Sequence, residues 1–207
     1  MKVQQMQNVS DKGWSEAEIN AWRDGVTRLG KVRDYAVTLQ SLQDACKHSS
    51  FSLTEYGRDK SGNAFFYASS PIPSPDKANF LITAGVHGYE PSGVLAAIEF
   101  IRDHAAAYVD RFNLVVFPCI SPWAFEYDQR WSTDALDTNR MFFDTGSRVI
   151  ECTAFMTALR SLEMRFVGAI DLHETRDIDI HLNEIRDRRF GITMPAFRVA
   201  GGLLLFY

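Results

Sequence analysis

A chain of 207 residues with 46% hydrophobic and 23% charged residues has the length and composition of one soluble globular domain. These values exclude a disordered, low-complexity or fibrous chain. The formal net charge of -4, without any run of lysine and arginine, argues against a nucleic-acid or membrane partner and favours a small ligand or a peptide.

The cysteines Cys46, Cys119 and Cys152 are odd in number and widely spaced, so they predict neither a disulfide framework nor a thiolate zinc cluster. They suit a reducing compartment. The N-terminus lacks the apolar segment of a secretory signal, and we therefore expect a cytoplasmic protein. The apolar C-terminal stretch AGGLLLFY is far shorter than the roughly 20 residues of a membrane-spanning helix, and we interpret it as a buried strand.

The first part of the chain, about 15–47, carries a helical pattern. Ser15 followed three positions later by Glu18 is typical of a capping box, and apolar residues recur at helical spacing after it. Gly25 and Gly30 are the two positions at which this pattern could break. We therefore predict an N-terminal helical segment with one interruption.

Strands and helices alternate in the rest of the chain. The stretches FSLTEYG and AFFYASS, separated by the turn sequence RDKSGN, predict an antiparallel hairpin. The further predicted elements are strands at 80–84, 112–118 and 166–172, and helices at about 91–108 and 148–163. Strand, helix and strand in succession indicate parallel crossovers. We expect one α/β domain over 1–207, with a mixed, mainly parallel sheet flanked by helices and a core over about 50–207.

A loop of about 30 residues, from Cys119 to about Ser147, interrupts this alternation, and a loop of that length is commonly functional or mobile. It contains DQRWSTDALDTNRMFF, in which Arg130, Asn139 and Arg140 stand among aromatic residues. The planar donor fork of arginine suits a carboxylate, and asparagine adds a donor beside it, so an anionic end of a ligand could dock here. The alternative is that the two arginines pair with the loop aspartates Asp128, Asp134, Asp137 or Asp144.

Polar side chains follow the ends of two predicted strands. His87 and Glu90 come after the strand at 80–84, in ITAGVHGYEPSG, and His173 directly follows the strand at 166–172. In α/β sheets ligands gather beyond the carboxyl ends of the strands, so a parallel sheet would bring these side chains to one rim. Two histidine nitrogens and a carboxylate oxygen, with a fourth position for water, form the ligand set of a catalytic zinc site.

The pair His87-x-x-Glu90 taken alone often arises by chance, as a capped helix start or a surface pair. A second histidine at a second strand end favours a metal site, as do Gly85 and Gly88, which permit close approach of the backbone. Asp171 or a backbone carbonyl could orient an imidazole. The remaining histidines stand in polar or helical settings and are predicted to be surface residues; they are His48, His104 and His181.

In chain order, the stretches HGYE, DTNRMF and DLHE resemble the motifs of the zinc metallocarboxypeptidase family, which are His-x-x-Glu, Asp-x-Asn-Arg-x-Phe and a distal histidine. The stretch FPCISPWAFEYDQRW is similar to the loop before the Asn-Arg pair, with Ser121-Pro122 where the family commonly has Asn-Pro. The resemblance covers about half the chain, from Phe80 to Thr175. It is nearest to a bacterial carboxypeptidase-like branch, and the related aspartoacylase and succinylglutamate desuccinylase group shares much of it.

The resemblance implies a zinc-dependent carboxypeptidase-like hydrolase that cleaves an amide bond next to a free carboxylate in a peptide. The implied roles are zinc ligation by His87, Glu90 and His173, polarisation of the scissile carbonyl by Arg130, and binding of the terminal carboxylate by Asn139 and Arg140. The alternatives are an N-acyl-amino-acid amidohydrolase of the desuccinylase or aspartoacylase type, a catalytically impaired remnant that binds zinc or a carboxylate, and a metal-free α/β binding module.

The general base is not located by this comparison. In the family that glutamate lies on a later strand, well beyond the distal histidine, and the residues after His173 show no segment that matches it. Glu174 adjoins a ligand but is expected to point away from His173, and Glu184 is the other glutamate of this stretch. We therefore expect an incomplete or divergent catalytic domain, whose exposed sheet edge leaves room for a partner or an oligomer.

Overall fold

The computed structural model describes residues 15–143 and 146–175, and these form five α-helices and five strands. The helices are α1 (Glu16–Leu29), α2 (Tyr35–Ser49), α3 (Pro91–Glu99), α4 (Pro122–Glu126) and α5 (Ile150–Ser161). The strands are β1 (Ser52–Arg58), β2 (Ala64–Ser69), β3 (Ala78–Ala84), β4 (Phe112–Phe117) and β5 (Phe166–Leu172). Among these described elements, every helix is too short or too polar to cross a lipid bilayer.

The N-terminal helical segment is divided at Gly30. The predicted capping box is present: the amide of Glu18 donates to the hydroxyl of Ser15, and the Glu18 carboxylate accepts from the Ser15 amide at 2.7 Å. Helix α1 ends where Gly30 adopts a φ of 86°, a conformation that favours glycine. Helix α2 then starts behind Asp34, whose carboxylate accepts from the amide of Ala36 at 2.8 Å.

The sheet is mixed and has the strand order β1-β2-β4-β3-β5. Strands β1 and β2 form the predicted antiparallel hairpin, and β2 also pairs antiparallel with β4. Strands β4, β3 and β5 are parallel, with Ile82 of β3 opposite Val116 of β4 and Ile170 of β5. The predicted fold class is therefore confirmed, whereas the strand predicted at the C-terminal AGGLLLFY lies outside the described residues.

Helices cover both faces of the sheet. Ile82 and Val116 point into a core formed with α2 and α3, and the adjacent residues Leu81 and Val115 point into a second core with Phe155 of α5. Because successive strand residues face opposite sides, strands buried on both faces become continuous apolar runs. This explains the apolar stretches at 80–84 and 112–118.

Two elements differ from the sequence prediction. The helix predicted at about 91–108 is regular only over α3; it continues as a π-helical turn, Phe100–His104, and a 3-10 turn, Ala105–Ala107. Ile101 of the π-helical turn and Ala105 of the 3-10 turn are both fully buried. The long loop contains α4, which sequence periodicity cannot reveal because its five residues are all buried.

Candidate metal centre

His87 and Glu90 lie in the turn between β3 and α3, and both are buried, with 2% and 4% of their surfaces exposed. Gly88 presses this turn against α4: a Cβ atom on Gly88 would lie 1.9 Å from the carbonyl carbon of Ala124. Only glycine permits so close an approach of two backbone segments. The two polar side chains are therefore held at the end of β3 by packing that a side chain at Gly88 would prevent.

His173 directly follows β5, which runs parallel to β3 with Leu172 opposite Ala84. The two strands therefore end at the same edge, and the candidate ligand atoms of His87, Glu90 and His173 all lie within 4.8 Å of one another. The sequence prediction that these three side chains meet is confirmed. That they bind a metal ion stays a prediction.

The carboxylate of Glu90 lies between the two imidazoles. Its Oε1 is 2.8 Å from Nδ1 of His87, and its Oε2 is 2.7 Å from Nδ1 of His173. The opposite nitrogens face other carboxylates: Nε2 of His87 is 3.0 Å from Oδ1 of Asp137, and Nε2 of His173 is 2.9 Å from Oδ2 of Asp171. Each imidazole is thus held between two acidic groups, with Nδ1 towards the shared centre.

Hydrogen bonding decides the charge of these groups. Burial favours the neutral form of Glu90, but hydrogen bonds from His173 and His87 outweigh it and lower its pKa to about 2. Burial likewise opposes a charge on His173, yet its bonds to Asp171 and Glu90 raise its pKa to about 10. The pKa of His87 is also raised, because bonds to Asp137 and Glu90 outweigh its burial. Without a metal ion the imidazole of His173 is therefore protonated at neutral pH, and the protonated form of His87 is favoured relative to a free imidazole.

The same histidine nitrogens and carboxylate oxygen also fit a divalent cation. Loss of the proton on Nδ1 would give each histidine a lone pair towards the centre while its Nε2–H remains on Asp137 or Asp171, which is the tautomer that a metal-ligating histidine needs. Glu90 adds a carboxylate oxygen between them. Asp171, proposed from the sequence to orient an imidazole, lies in this place, and the hydroxyl of Thr83 donates to its Oδ1 at 2.7 Å.

Asp137 contacts His87, and the sequence did not predict this contact. The sequence indicated Asp137 only as a possible ion-pair partner of the loop arginines. That ion pair is also present: Nε and Nη2 of Arg130 lie 3.1 and 3.0 Å from Oδ2 of Asp137. Nη1 of Arg130 donates to the phenol oxygen of Tyr89 at 2.8 Å. The position of Asp137 inside the DTNR stretch was the signal in the sequence that could have marked it. Arg130 is thus linked to His87 through the carboxylate of Asp137. The side chain of Arg130 is 24% exposed.

Asn139 and Arg140 lie on the 3-10 turn Thr138–Arg140 and are exposed. The amide of Asn139 donates to Oδ1 of Asp137 at 3.1 Å, so the turn is attached to the carboxylate that also holds His87. Their predicted role in binding a carboxylate stays a prediction.

Glu174 points away from His173. Its carboxylate accepts from the amide and the hydroxyl of Ser92, at 3.1 and 2.7 Å, at the start of α3. Its amide donates to Oε2 of Glu90 at 3.0 Å, which further fixes that carboxylate. Glu174 therefore serves as a helix cap, while Glu184 and His181 lie outside the described residues.

Comparison with known proteins gives likeness at the level of structure. No protein-family model and no curated protein matches the chain. A Shewanella denitrificans protein named as a candidate metallopeptidase superimposes with a TM-score of 0.61 at 22% identity, over 69% of this chain and 53% of its own. A metallo-carboxypeptidase from Burkholderia cenocepacia gives 0.55 at 18%, over 66% and 39%, and carboxypeptidase A from Helicoverpa armigera 0.51 at 14%, over 72% and 51%.

The chain spans about half the length of the solved proteins that it matches. At such identities the likeness shows the fold alone, and the activity in each protein's name is that protein's own. The sequence-level resemblance and the superposition agree on the fold. The chain has a metallo-carboxypeptidase-like fold.

Proposed function

We propose that this chain is a zinc-dependent metallocarboxypeptidase-like hydrolase that cleaves an amide bond next to a free carboxylate in a peptide. The observation that carries the proposal is the convergence of His87, Glu90 and His173, whose candidate ligand atoms lie within 4.8 Å of one another. Two nitrogens and one carboxylate oxygen leave a fourth tetrahedral position for water or substrate, as in catalytic zinc sites. Bound zinc would supply a Lewis acid and a water whose pKa is lowered to about 7.

The residues around this centre would act on the substrate by orientation and charge. Asp137 and Asp171 hold the imidazoles of His87 and His173 with Nδ1 towards the centre. Among the described residues, three of the five N–H donors of Arg130 bind Asp137 and Tyr89, and the other two would serve a carbonyl oxygen that gains negative charge.

The substrate's carboxylate would be bound on the exposed turn Thr138–Arg140, by the side chains of Asn139 and Arg140. A guanidinium and an amide supply the planar set of donors that a carboxylate accepts. The turn is tied to Asp137 through the Asn139 amide, so binding there is coupled in position to the candidate metal site.

Metal content and hydrolysis test the proposal together. We expect the purified protein to contain one equivalent of zinc, measured by mass spectrometry of the metal, and His173→Ala to lose it. His48→Ala is the matched control, since His48 is exposed and far along the chain from the site. A wild-type protein that contains no zinc and takes up none on titration would end the proposal.

A panel of substrates distinguishes the proposed carboxypeptidase-like activity from that of an N-acyl-amino-acid amidohydrolase. Peptides with free C-termini should be cleaved, and cleavage should stop with a chelator and return with added zinc. Turnover of N-acyl aspartate or succinylglutamate in place of peptides would instead identify an N-acyl-amino-acid amidohydrolase. Stoichiometric zinc without turnover of either class would identify a non-catalytic metal-binding protein.

A further inference from the structure

Tyr89 stands between the two ligand positions of the turn, and its role is not accounted for by the metal centre. It is 4% exposed. Its amide donates to the carbonyl of Gln129 at 3.0 Å, and its phenol oxygen accepts from Nη1 of Arg130 at 2.8 Å. Tyr89 thus connects the turn that carries His87 and Glu90 to the loop that carries Arg130, through both its backbone and its side chain.

The contacts of Arg130 show what the phenol adds. Nε and Nη2 both donate to the same oxygen, Oδ2 of Asp137, so this carboxylate fixes the guanidinium at one point. A planar group held at a single acceptor can pivot about it. The phenol of Tyr89 provides a second point on the other arm, and the guanidinium carbon also lies 5.9 Å from the centre of the Tyr89 ring. Two separated acceptors define the orientation of the plane.

We propose that Tyr89 is a positioning residue, whose phenol fixes the guanidinium of Arg130 so that the two N–H donors left without a partner among the described residues face an oxygen of the substrate at the metal centre. This inference rests on the proposed function for the identity of that oxygen. A phenylalanine would fill the same buried space, so packing alone does not require the hydroxyl. The hydroxyl is needed because it accepts a hydrogen bond from a charged donor, which is among the stronger kinds of hydrogen bond in proteins.

The variant Tyr89→Phe keeps the ring and removes the acceptor. We expect kcat for peptide hydrolysis to fall by about 10- to 100-fold, the range for loss of a hydrogen bond to a charged group, with KM within about threefold of the wild type. Zinc content should not change. Tyr127→Phe is the matched control, because Tyr127 lies on the same loop with its ring 5.2 Å from that of Trp123 and takes no part in the site.

A double-mutant cycle separates positioning from a general loss of structure. If the phenol acts only through Arg130, adding Tyr89→Phe to Arg130→Ala should lower kcat no further. Additive losses in kcat would overturn the inference, and so would a Tyr89→Phe enzyme with wild-type kcat.

Nuclear magnetic resonance provides a readout that does not depend on turnover. The Nε–H signal of Arg130, identified by its absence in Arg130→Ala, should be sharp and slow to exchange in the wild type and in Tyr127→Phe, and broadened or fast to exchange in Tyr89→Phe. If this change occurs but no substrate is hydrolysed, the proposed function fails while the positioning of Arg130 stands. An Arg130 signal that is unchanged in Tyr89→Phe would refute the inference.

Discussion

Zinc binding should depend on pH over a wide range, because the candidate histidine ligands hold their protons tightly. The pKa of His173 is raised to about 10 and that of His87 is raised above its ordinary value, whereas Glu90, with a pKa of about 2, is ionised throughout. A cation must displace one proton from each imidazole. Below the pKa of His87 the association constant should rise about 100-fold per pH unit, equivalent to about 2.7 kcal/mol. Between that pKa and the pKa of His173 only one proton is displaced, and the rise should be about tenfold per unit.

Asp171→Asn isolates the contribution of His173, since the carboxylate of Asp171 helps to hold that proton. Zinc affinity can be measured by competition with a chelator at several pH values between about 7.5 and 9.5, where ordinary imidazoles with a pKa of about 6.5 no longer bind protons. Ionisation of a zinc-bound water would steepen the curves of both proteins alike, so the difference between them reports on His173. We expect the wild-type logarithm of affinity to climb more steeply than that of the variant, by up to about one unit per pH unit, because Glu90 still raises the pKa of His173 in the variant. Parallel curves would refute the reasoning.

Three further changes test the packing around the site. The carboxyl group of Glu151 is buried and has no hydrogen-bond partner among the described residues, and this burial raises its pKa to about 7, above the unfolded value. The stability that the neutral acid contributes is present below about pH 4.5 and is lost as the pH rises through about 7. Glu151→Gln should therefore gain up to about 3 kcal/mol over the wild type in urea unfolding at about pH 8 and little at about pH 4.5, and equal gains at both would contradict this origin. Gly88→Ala should destabilise the fold by about 1–3 kcal/mol or more and lower the zinc content of the protein. Gly25→Ala is the control: a Cβ there meets no atom within 4 Å, so the melting temperature should be unchanged or higher. Glu174→Ala should lose about 1 kcal/mol of stability through the lost cap on Ser92. The same variant should keep its hydrolytic rate, and a fall of about 100-fold or more would mark Glu174 as the general base instead.

The local pattern of the sequence was sufficient to predict most elements of the fold and the meeting of the candidate metal ligands. The apolar runs of β3 and β4 reflect the burial of both faces of these strands. His87 and His173 could be placed together because parallel strands end at a common edge, which is a property of the whole architecture. The insertion of β4 between β2 and β3 had no such signal, because strand order depends on contacts between distant segments.

Side-chain partners across the long loop could not be predicted in the same way. The bond between His87 and Asp137 joins positions 50 residues apart, and the loop aspartates offered several equivalent partners for Arg130. Helix α4, which packs against Gly88 within the same loop, could not be predicted either, because five buried residues show no helical period. The contact of Tyr89 with Arg130 likewise joins positions 41 residues apart. The strand predicted at the C-terminus and the predictions for His181 and Glu184 concern residues outside the described part of the chain.

The pairing of β5 with β3 has a consequence for the order of assembly. Glu90 and His173 are 83 residues apart along the chain, so their contact forms only once β5 has docked, and long-range contacts of this kind form late in folding. A cation held by both residues would then fasten this outermost described strand to the sheet. At a free concentration about 100 times its Kd it would add about 2.7 kcal/mol to stability. We expect zinc starvation to loosen the attachment of β5 before that of β3 or β4.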